Sequence, residues 1–232
     1  MSKVNLVVPI AGLGKRFKDE GYNIPKPLIH IKDKTIIEHS MESIEWNECN
    51  LIFIVRSEDV SNYNIDRYLK QNFGNDIKIV TVNYQTQGSV CSVLLASEYI
   101  NNDNPLCVWC SDVYFEMNKY GLNKKFIPSK DVPSDLDGFI LTFKSNSPNY
   151  SYVKTNDENL VERVAEKQVI SELANAGLYY FKHGNEFVKR ALQMIEMNDK
   201  TNNEFYLAPL YNYFIADRLK IGMREIEKIH IF

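Results

Sequence analysis

Residues 7–17 read Val-Val-Pro-Ile-Ala-Gly-Leu-Gly-Lys-Arg-Phe, and residues 25–28 read Pro-Lys-Pro-Leu. Gly12 and Gly14 carry no Cβ, so their main-chain amides can face an anion at close range. Ala11, Leu13 and Lys15 complete the turn. Arg16 offers a planar fork of donors that matches phosphate oxygens. Lys26 adds a second cation on a segment stiffened by its two prolines. A turn with two such cations fits a polyphosphate, and a nucleoside triphosphate is the expected ligand. A dinucleotide fingerprint would need a third glycine where Phe17 stands, and a Walker A loop would close on Gly-Lys-Ser/Thr; neither is present. An ordinary strand-turn-helix corner explains the glycines but not Arg16 together with Pro25-Lys26-Pro27.

Elements must hold this turn in place, and the apolar spacing supplies them. Residues 5–10, 51–55, 77–82 and 106–110 are short, uniformly apolar runs, as expected of strands buried on both faces. Residues 35–44, 60–73 and 89–100 have helical spacing between them. This alternation predicts an α/β fold: a Rossmann-like, doubly wound, mostly parallel sheet with helices on both faces. Strands are also expected at 138–143, 152–155 and 176–181, and helices at 186–197 and 203–215. Residues 220–226 and 228–232 read as extended, and 128–138 as the longest loop. No linker or internal repeat divides the chain. A single domain over 1–232 is expected, with about 1–115 binding nucleotide and about 116–232 binding an acceptor.

Bulk properties narrow the partners. The 232 residues are 44% hydrophobic and 25% charged, with a net charge of −3. That balance makes no electrostatic case for nucleic acid or an anionic membrane, so a phosphate site must be a local patch. No run of 18 apolar residues exists to enter a bilayer. Met1-Ser2-Lys3-Val4-Asn5 leads into a strand and does not read as a signal peptide, so the expected compartment is the cytoplasm. Cys107-Val-Trp-Cys110 has C-x-x-C spacing, but no second pair completes a zinc site, and Cys49 and Cys91 stand alone. Buried thiols are expected. His30 and His39 have no nucleophile beside them in sequence, and Tyr179-Tyr180-Phe181 reads as core.

The G-x-G-x-R turn followed by P-K-P closely resembles the nucleotidyltransferases that activate sugar 1-phosphates and choline phosphate. The resemblance covers nearly the whole chain. It implies attack by an acceptor phosphate on the α-phosphorus of a triphosphate, with release of pyrophosphate. It places Arg16 on the β- and γ-phosphates and Lys26 on the α-phosphate, both as catalytic residues. Asp112, just after the strand at 106–110, would hold Mg²⁺. In Asn83-Tyr-Gln85-Thr-Gln-Gly88-Ser89 it implies a base-reading loop, with Gly88 and Ser89 on base and ribose. Ser89 is also a candidate cap for the helix that follows. The family's glutamine five residues before this glycine is Asn83 here, with Gln85 nearby, which leaves the base open.

Val164-Ala-Glu166-Lys167 and Asn175-Ala-Gly177 are similar to the family's E-K-P and N-x-G segments, which line the acceptor pocket. Lys167 would meet the acceptor's phosphate, and Glu166 and Asn175 its other polar groups. Gln168 replaces the usual proline. Ser151 replaces the glycine of a Y-G-x-V segment and would narrow the pocket. The family's second metal aspartate, beside a G-T-P segment, has no counterpart near His230-Ile-Phe232. Asp217 and His230 are the alternatives to consider.

Compact relatives in bacterial surface-polysaccharide pathways imply a more specific expectation. The chain is similar to cytidylyltransferases that join CTP to phosphoglutamine for capsule phosphoramidate. CTP is therefore the first-ranked triphosphate and a small phosphorylated molecule the acceptor. A sugar-1-phosphate nucleotidyltransferase using UTP, GTP or dTTP ranks second. A glycosyltransferase using a nucleotide-sugar donor would show D-x-D where this chain has Asp112-Val-Tyr114. A non-catalytic nucleotide-sensing subunit would have no need of Arg16, Lys26 and Asp112 together. A homo-oligomer is compatible with the sequence, which sets no oligomeric state.

Overall fold

Along each central strand, successive apolar side chains leave for opposite faces of the sheet. Leu6 and Val8, Phe53 and Val55, and Cys107 and Trp109 enter one core layer. Val7, Ile52 and Ile54, and Leu106 and Val108 enter the other. A sheet with two apolar faces needs cover on both, which is why helices alternate with strands. The computed structural model describes residues 3–119 and 122–232, with backbone only at 117–119 and 122–124. Met1 and Ser2, read as the approach to the first strand, lie outside the described residues.

In the first half, β1 (Asn5–Pro9) leads through the glycine turn to α1 (Lys15–Asp19) and a 3-10 turn at Lys26–Leu28. There follow β2 (His30–Ile31), β3 (Lys34–Thr35), α2 (Ile36–Met41), β4 (Asn50–Arg56), α3 (Ser57–Tyr63), α4 (Ile65–Phe73), β5 (Lys78–Val82), α5 (Ser89–Leu94), α6 (Ser97–Ile100) and β6 (Leu106–Trp109). The second half comprises β7 (Val113–Lys119), β8 (Leu122–Lys124), α7 (Pro128–Asp131), β9 (Gly138–Lys144), β10 (Ser151–Thr155), β11 (Val161–Glu166), β12 (Leu173–Phe181), α8 (Gly184–Glu196), α9 (Leu207–Ala216), β13 (Ile221–Glu225) and β14 (Lys228–Ile231).

The central sheet runs β5-β4-β1-β6-β12-β9-β13, and a β10-β11 hairpin joins the start of β12. Pairing is parallel from β5 to β6 and between β9 and β13. Only β12 runs against its neighbours on both sides in that row. The expected mostly parallel α/β sheet is thus present, with antiparallel pairing concentrated around β12. On one face α2 and α4 cover the sheet through Ile37, Met41, Leu69 and Phe73. On the other, α5, α8 and α9 do so through Val93, Phe187, Met194 and Tyr211. Each such fully buried side chain contributes roughly 1.5–3 kcal/mol of hydrophobic stabilisation.

Local chemistry sets several boundaries. The Thr35 hydroxyl accepts from the Glu38 amide while the Glu38 carboxylate accepts from the Thr35 amide, a complete capping box on α2. The helix expected over 60–73 is two helices, because Asn64 adopts a left-handed φ of 51° between them. The one expected over 89–100 also breaks, where the amides of Leu95 and Ala96 reach back only three residues. Residues 201–206 are not helical: Thr201 and Glu204 bond each other across Asn202 and Asn203, both at positive φ. The expected loop at 128–138 holds the short helix α7, and β7, β8 and β11 were not anticipated.

Candidate active site

Open parallel sheets gather ligands at the carboxyl ends of their strands, and the glycine turn leaves β1 at that end. Gly14 sits at φ 58° as the residue before α1, a conformation that suits glycine. A methyl group added at Gly12 would meet nothing within 4 Å, so the space above this turn is open. Gly12, Gly14, Lys18, Lys26, Arg56 and Asp59 line a shallow cleft. Arg56, from the end of β4, pairs with Glu58 at 2.8 Å. Burial raises the Asp59 carboxyl above its ordinary value. Sequence reasoning missed Lys18, Arg56 and Asp59, because no motif marks them and only the strand end brings them to the turn. Tyr63 donates from its hydroxyl to the Asn23 carbonyl at 2.5 Å and ties the 23–26 segment to α3.

Lys26 is the pivot. Its ammonium donates to Asp112 Oδ2 at 3.0 Å and to the Phe232 main-chain oxygen at 3.0 Å, and lies 5.1 Å from the Phe17 ring centre. The Phe232 amide in turn donates to the Asp112 carbonyl at 2.8 Å. Arg16 is different. It is exposed on α1, and its guanidinium makes no hydrogen bond or ion pair among the described residues. Lys15 is exposed beside it, while Ala11 and Leu13 are half-buried.

Asn83 and Gln85 are exposed in the loop after β5. Ser89 does not cap its own helix. Its hydroxyl accepts from the Leu207 amide at 3.1 Å, and so caps the start of α9 instead. The reason is close packing of main chain on main chain. Phe205 donates to the Gln87 carbonyl at 2.8 Å and accepts from the Val90 amide at 3.0 Å. A methyl group on Gly88, itself at φ 117°, would come within 2.5 Å of the Phe205 backbone.

The residues expected to bind an acceptor lie on the other flank of Cys110. Ser151 pairs directly opposite Glu166 across β10 and β11, so both side chains share a face. Burial pushes the Glu166 carboxyl up to about 7, with Lys167 pulling it down and Glu204 raising it. Ser151 is buried and faces the Tyr179 phenol, which burial raises well above its ordinary value. Asn175 is buried; its Oδ1 accepts from the Gly177 amide at 2.6 Å, and its Nδ2 has no partner among the described residues. This is a bulge in β12, with Gly177 at φ 82° and pressed against Cys110. Lys167, at a left-handed φ of 53°, donates to the Tyr206 hydroxyl at 2.8 Å. Cys110 lies within the fields of Asp112, Glu166 and Lys26, which marks where the two groups of residues meet. Its thiol is raised by burial, as is that of Cys107, and all four cysteines are free.

Asp217 belongs elsewhere. It pairs at 2.6 Å with the buried Arg190, which Glu186 also holds. His230 lies on β14 with its ring 5.9 Å from that of Tyr114. Among the described residues no three His, Cys, Asp or Glu side chains cluster as a metal cage. Asp112 presents its carboxylate about one-third exposed, and among the described residues it is ion-paired with Lys26. Such a carboxylate fits Mg²⁺, which often binds through one or two carboxylates, phosphates and several waters. No helix among the described residues is long and apolar enough to cross a membrane.

The fold and these residues define an α/β protein with a glycine turn at the end of a parallel strand, a lysine–aspartate pair beside it and a second group of polar residues across Cys110. The chain belongs to the nucleotidyl transferase family, whose model matches residues 7–209. It is 28% identical over 83% of its length to a bifunctional protein GlmU from Methanocaldococcus jannaschii, covering 42% of that protein. It is 29% identical over 75% of its length to a mannose-1-phosphate guanyltransferase from Neurospora crassa, covering 48% of that one. The chain thus spans less than half the length of these curated relatives. Among solved structures, a nucleoside-diphosphate-sugar pyrophosphorylase from Vibrio cholerae RC9 superposes with a TM-score of 0.82 at 24% identity, over 97% of this chain and 94% of that one. An inositol-1-phosphate CTP transferase from T. maritima superposes at 0.73 with 13% identity, over 99% and 88%.

Proposed function

We propose that this chain transfers a nucleoside monophosphate from a triphosphate to the phosphate of a sugar or polyol 1-phosphate, releasing pyrophosphate. The observation that carries this reading is the Lys26 ammonium held on Asp112, beside the glycine turn and sharing the surroundings of Cys110 with Glu166. An acceptor phosphate oxygen attacks the α-phosphorus, a new P–O bond forms, and the bond to the bridging oxygen of the β-phosphate breaks. The electron pair leaves with pyrophosphate. Such displacement depends on placement and charge neutralisation. Gly12 and Gly14 amides with Arg16 take the β- and γ-phosphates. Lys26 faces the α-phosphate, where charge shifts. Asn83, Gln85, Gly88 and Ser89 take the base and ribose. Lys167 meets the acceptor phosphate; Glu166, Asn175, Gly177 and Ser151 shape the space for its hydroxyls. Asp112 is the residue that would hold Mg²⁺, and the ion supplies further neutralisation of phosphate charge when bound. The setting is a cytoplasmic one.

The order of acceptors differs from the expectation drawn from the sequence. CTP with phosphoglutamine ranked first there. A mannose-1-phosphate guanyltransferase among the relatives and an inositol-1-phosphate CTP transferase among the structural neighbours both take ring 1-phosphates. That spread supports a hydroxylated ring 1-phosphate as acceptor and leaves the base to experiment. The chain with Mg²⁺ and CTP, UTP, GTP, dTTP or ATP is assayed for pyrophosphate against glucose, mannose and inositol 1-phosphates and phosphoglutamine. Turnover with a ring 1-phosphate is expected. Turnover only with CTP and phosphoglutamine would restore the earlier order, and none with any pair would refute the reading.

A further inference from the structure

The segment 200–207 touches both groups of site residues. Toward the nucleotide side, Lys200 donates to Gln87 Oε1 at 2.9 Å, the Phe205 main chain brackets Gln87 and Val90, and the Leu207 amide bonds Ser89. Toward the acceptor side, the same segment brings Glu204 into the field of Glu166 and Lys167 and places Tyr206 on Lys167. Tyr206 accepts from the Lys167 ammonium at 2.8 Å, and that ammonium also lies 4.9 Å from the Tyr206 ring centre. Tyr206 is half-buried and directly precedes α9, so the bonds that anchor the helix start also set its ring.

Lys167 needs such a fixture. A lysine side chain is a flexible four-carbon stem that loses rotamer entropy when it is fixed. Its own main chain is held, with the Lys167 amide donating to the Tyr150 carbonyl at 2.9 Å, but its side chain is exposed. Among the described residues, Tyr206 is the group that its ammonium hydrogen-bonds.

We propose that Tyr206 is a positioning residue: it holds the Lys167 ammonium at the mouth of the acceptor pocket, through a segment bonded to the base-reading loop. This rests on the nucleotidyltransferase reading above and deepens it. The phenol donates nothing to Lys167 and takes no part in bond making. It removes conformations of the lysine in which no acceptor phosphate is met. Its hydrogen bond also holds the ammonium above its ordinary pKa.

Tyr206→Phe removes the hydroxyl and keeps the ring. With the pair from the panel that turns over fastest, the acceptor KM is expected to rise about tenfold. The triphosphate KM should stay within about twofold, because the main-chain bonds of Phe205 and Leu207 persist. In protein labelled at lysine side chains, the Lys167 signal, assigned by its loss in Lys167→Arg, should titrate at lower pH in Tyr206→Phe. An unchanged acceptor KM, or equal rises for both substrates, would overturn the positioning role and leave the enzyme reading standing. No turnover by the parent protein with any pair would overturn both.

Discussion

The two sides of the site differ in how many bonds their polar groups already have. On the nucleotide side, Arg16, Asn83 and Gln85 are exposed, and Gly12 faces open space. On the acceptor side, Asn175 is pinned by the Gly177 amide, Lys167 by Tyr206, and Ser151 and the half-buried Glu166 share one face of the β10–β11 hairpin. In the proposed function the first arrangement is completed by the charge of the triphosphate, whereas the second is already bonded within the chain. Preorganisation of that kind places a reacting group at low entropic cost. Changes on the nucleotide side should therefore act on turnover and triphosphate binding with little effect on folding. Changes on the acceptor side should register in stability and in its pH dependence.

The largest effect expected is at Lys26. Lys26→Ala should lower kcat by about 10²–10³, the usual cost of one preorganised donor at a developing charge. The midpoint of urea unfolding should move little, since Lys26 is held by one partly exposed carboxylate and one main-chain oxygen. Near-normal turnover would remove the lysine from the chemistry. A collapse of stability would instead show that this side is as preassembled as the other.

Two glycines, both read as nucleotide-binding, mark the limit of that contrast, because Gly88 is packed against the Phe205 main chain and Gly12 is not. Gly88→Ala forces a methyl group to within 2.5 Å of the Phe205 backbone at φ 117°. It should cost about 3 kcal/mol of folding free energy, as backbone strain and overpacking act together. Gly12→Ala meets no protein atom within 4 Å. Its stability should change by no more than about 0.5 kcal/mol, while triphosphate binding, followed by calorimetry, weakens. Equal losses of stability at both positions would break the distinction.

Glu166 supplies a pH test on the acceptor side. Burial raises its carboxyl in the folded chain from 4.5 to about 7. The folded state therefore holds a proton that the unfolded state has released between those values. Stability must fall as pH rises through that window and level off above about 7, by at most roughly 3 kcal/mol. Urea titrations from pH 4 to 8 should show this fall, and Glu166→Gln should flatten that part of it. A slope that survives in Glu166→Gln would assign the dependence to other groups.

The sequence makes the parallel half of the sheet legible because both faces of each strand are apolar, as at 51–55 and 106–110. It makes the glycine turn and Pro25-Lys26-Pro27 legible because their spacing is local. The rest depends on long-range contact. Arg56 and Asp59 enter the cleft only because β4 ends beside β1, thirty and more residues after Lys26. Ser89 was expected to cap the helix it begins. It caps α9, 118 positions away in sequence, because the backbone at Phe205 lies against Gly88. Tyr206 was read as part of a helix over 203–215. The Thr201–Glu204 turn stops that helix short and frees the ring to meet Lys167. Hydrophobic period does not register a turn made by two asparagines at positive φ.

The smallest effect expected is at Asp217, and it bears on which carboxylate serves the metal. Its side chain is more than half exposed and paired with the guanidinium of Arg190, a residue almost wholly buried between Glu186 and the Phe214 ring. Asp217→Asn keeps an acceptor beside that guanidinium, and exposed ion pairs contribute little. The loss of stability should stay within about 1 kcal/mol, and the magnesium concentration giving half-maximal turnover should not move. Asp112→Asn, in contrast, should shift that concentration strongly, because its carboxylate stands with Lys26 at the junction of the two sides. If instead the shift appeared with Asp217→Asn, the carboxyl end of α9 would have to reach the glycine turn. That would undo the separation between an open nucleotide side and a prebuilt acceptor side.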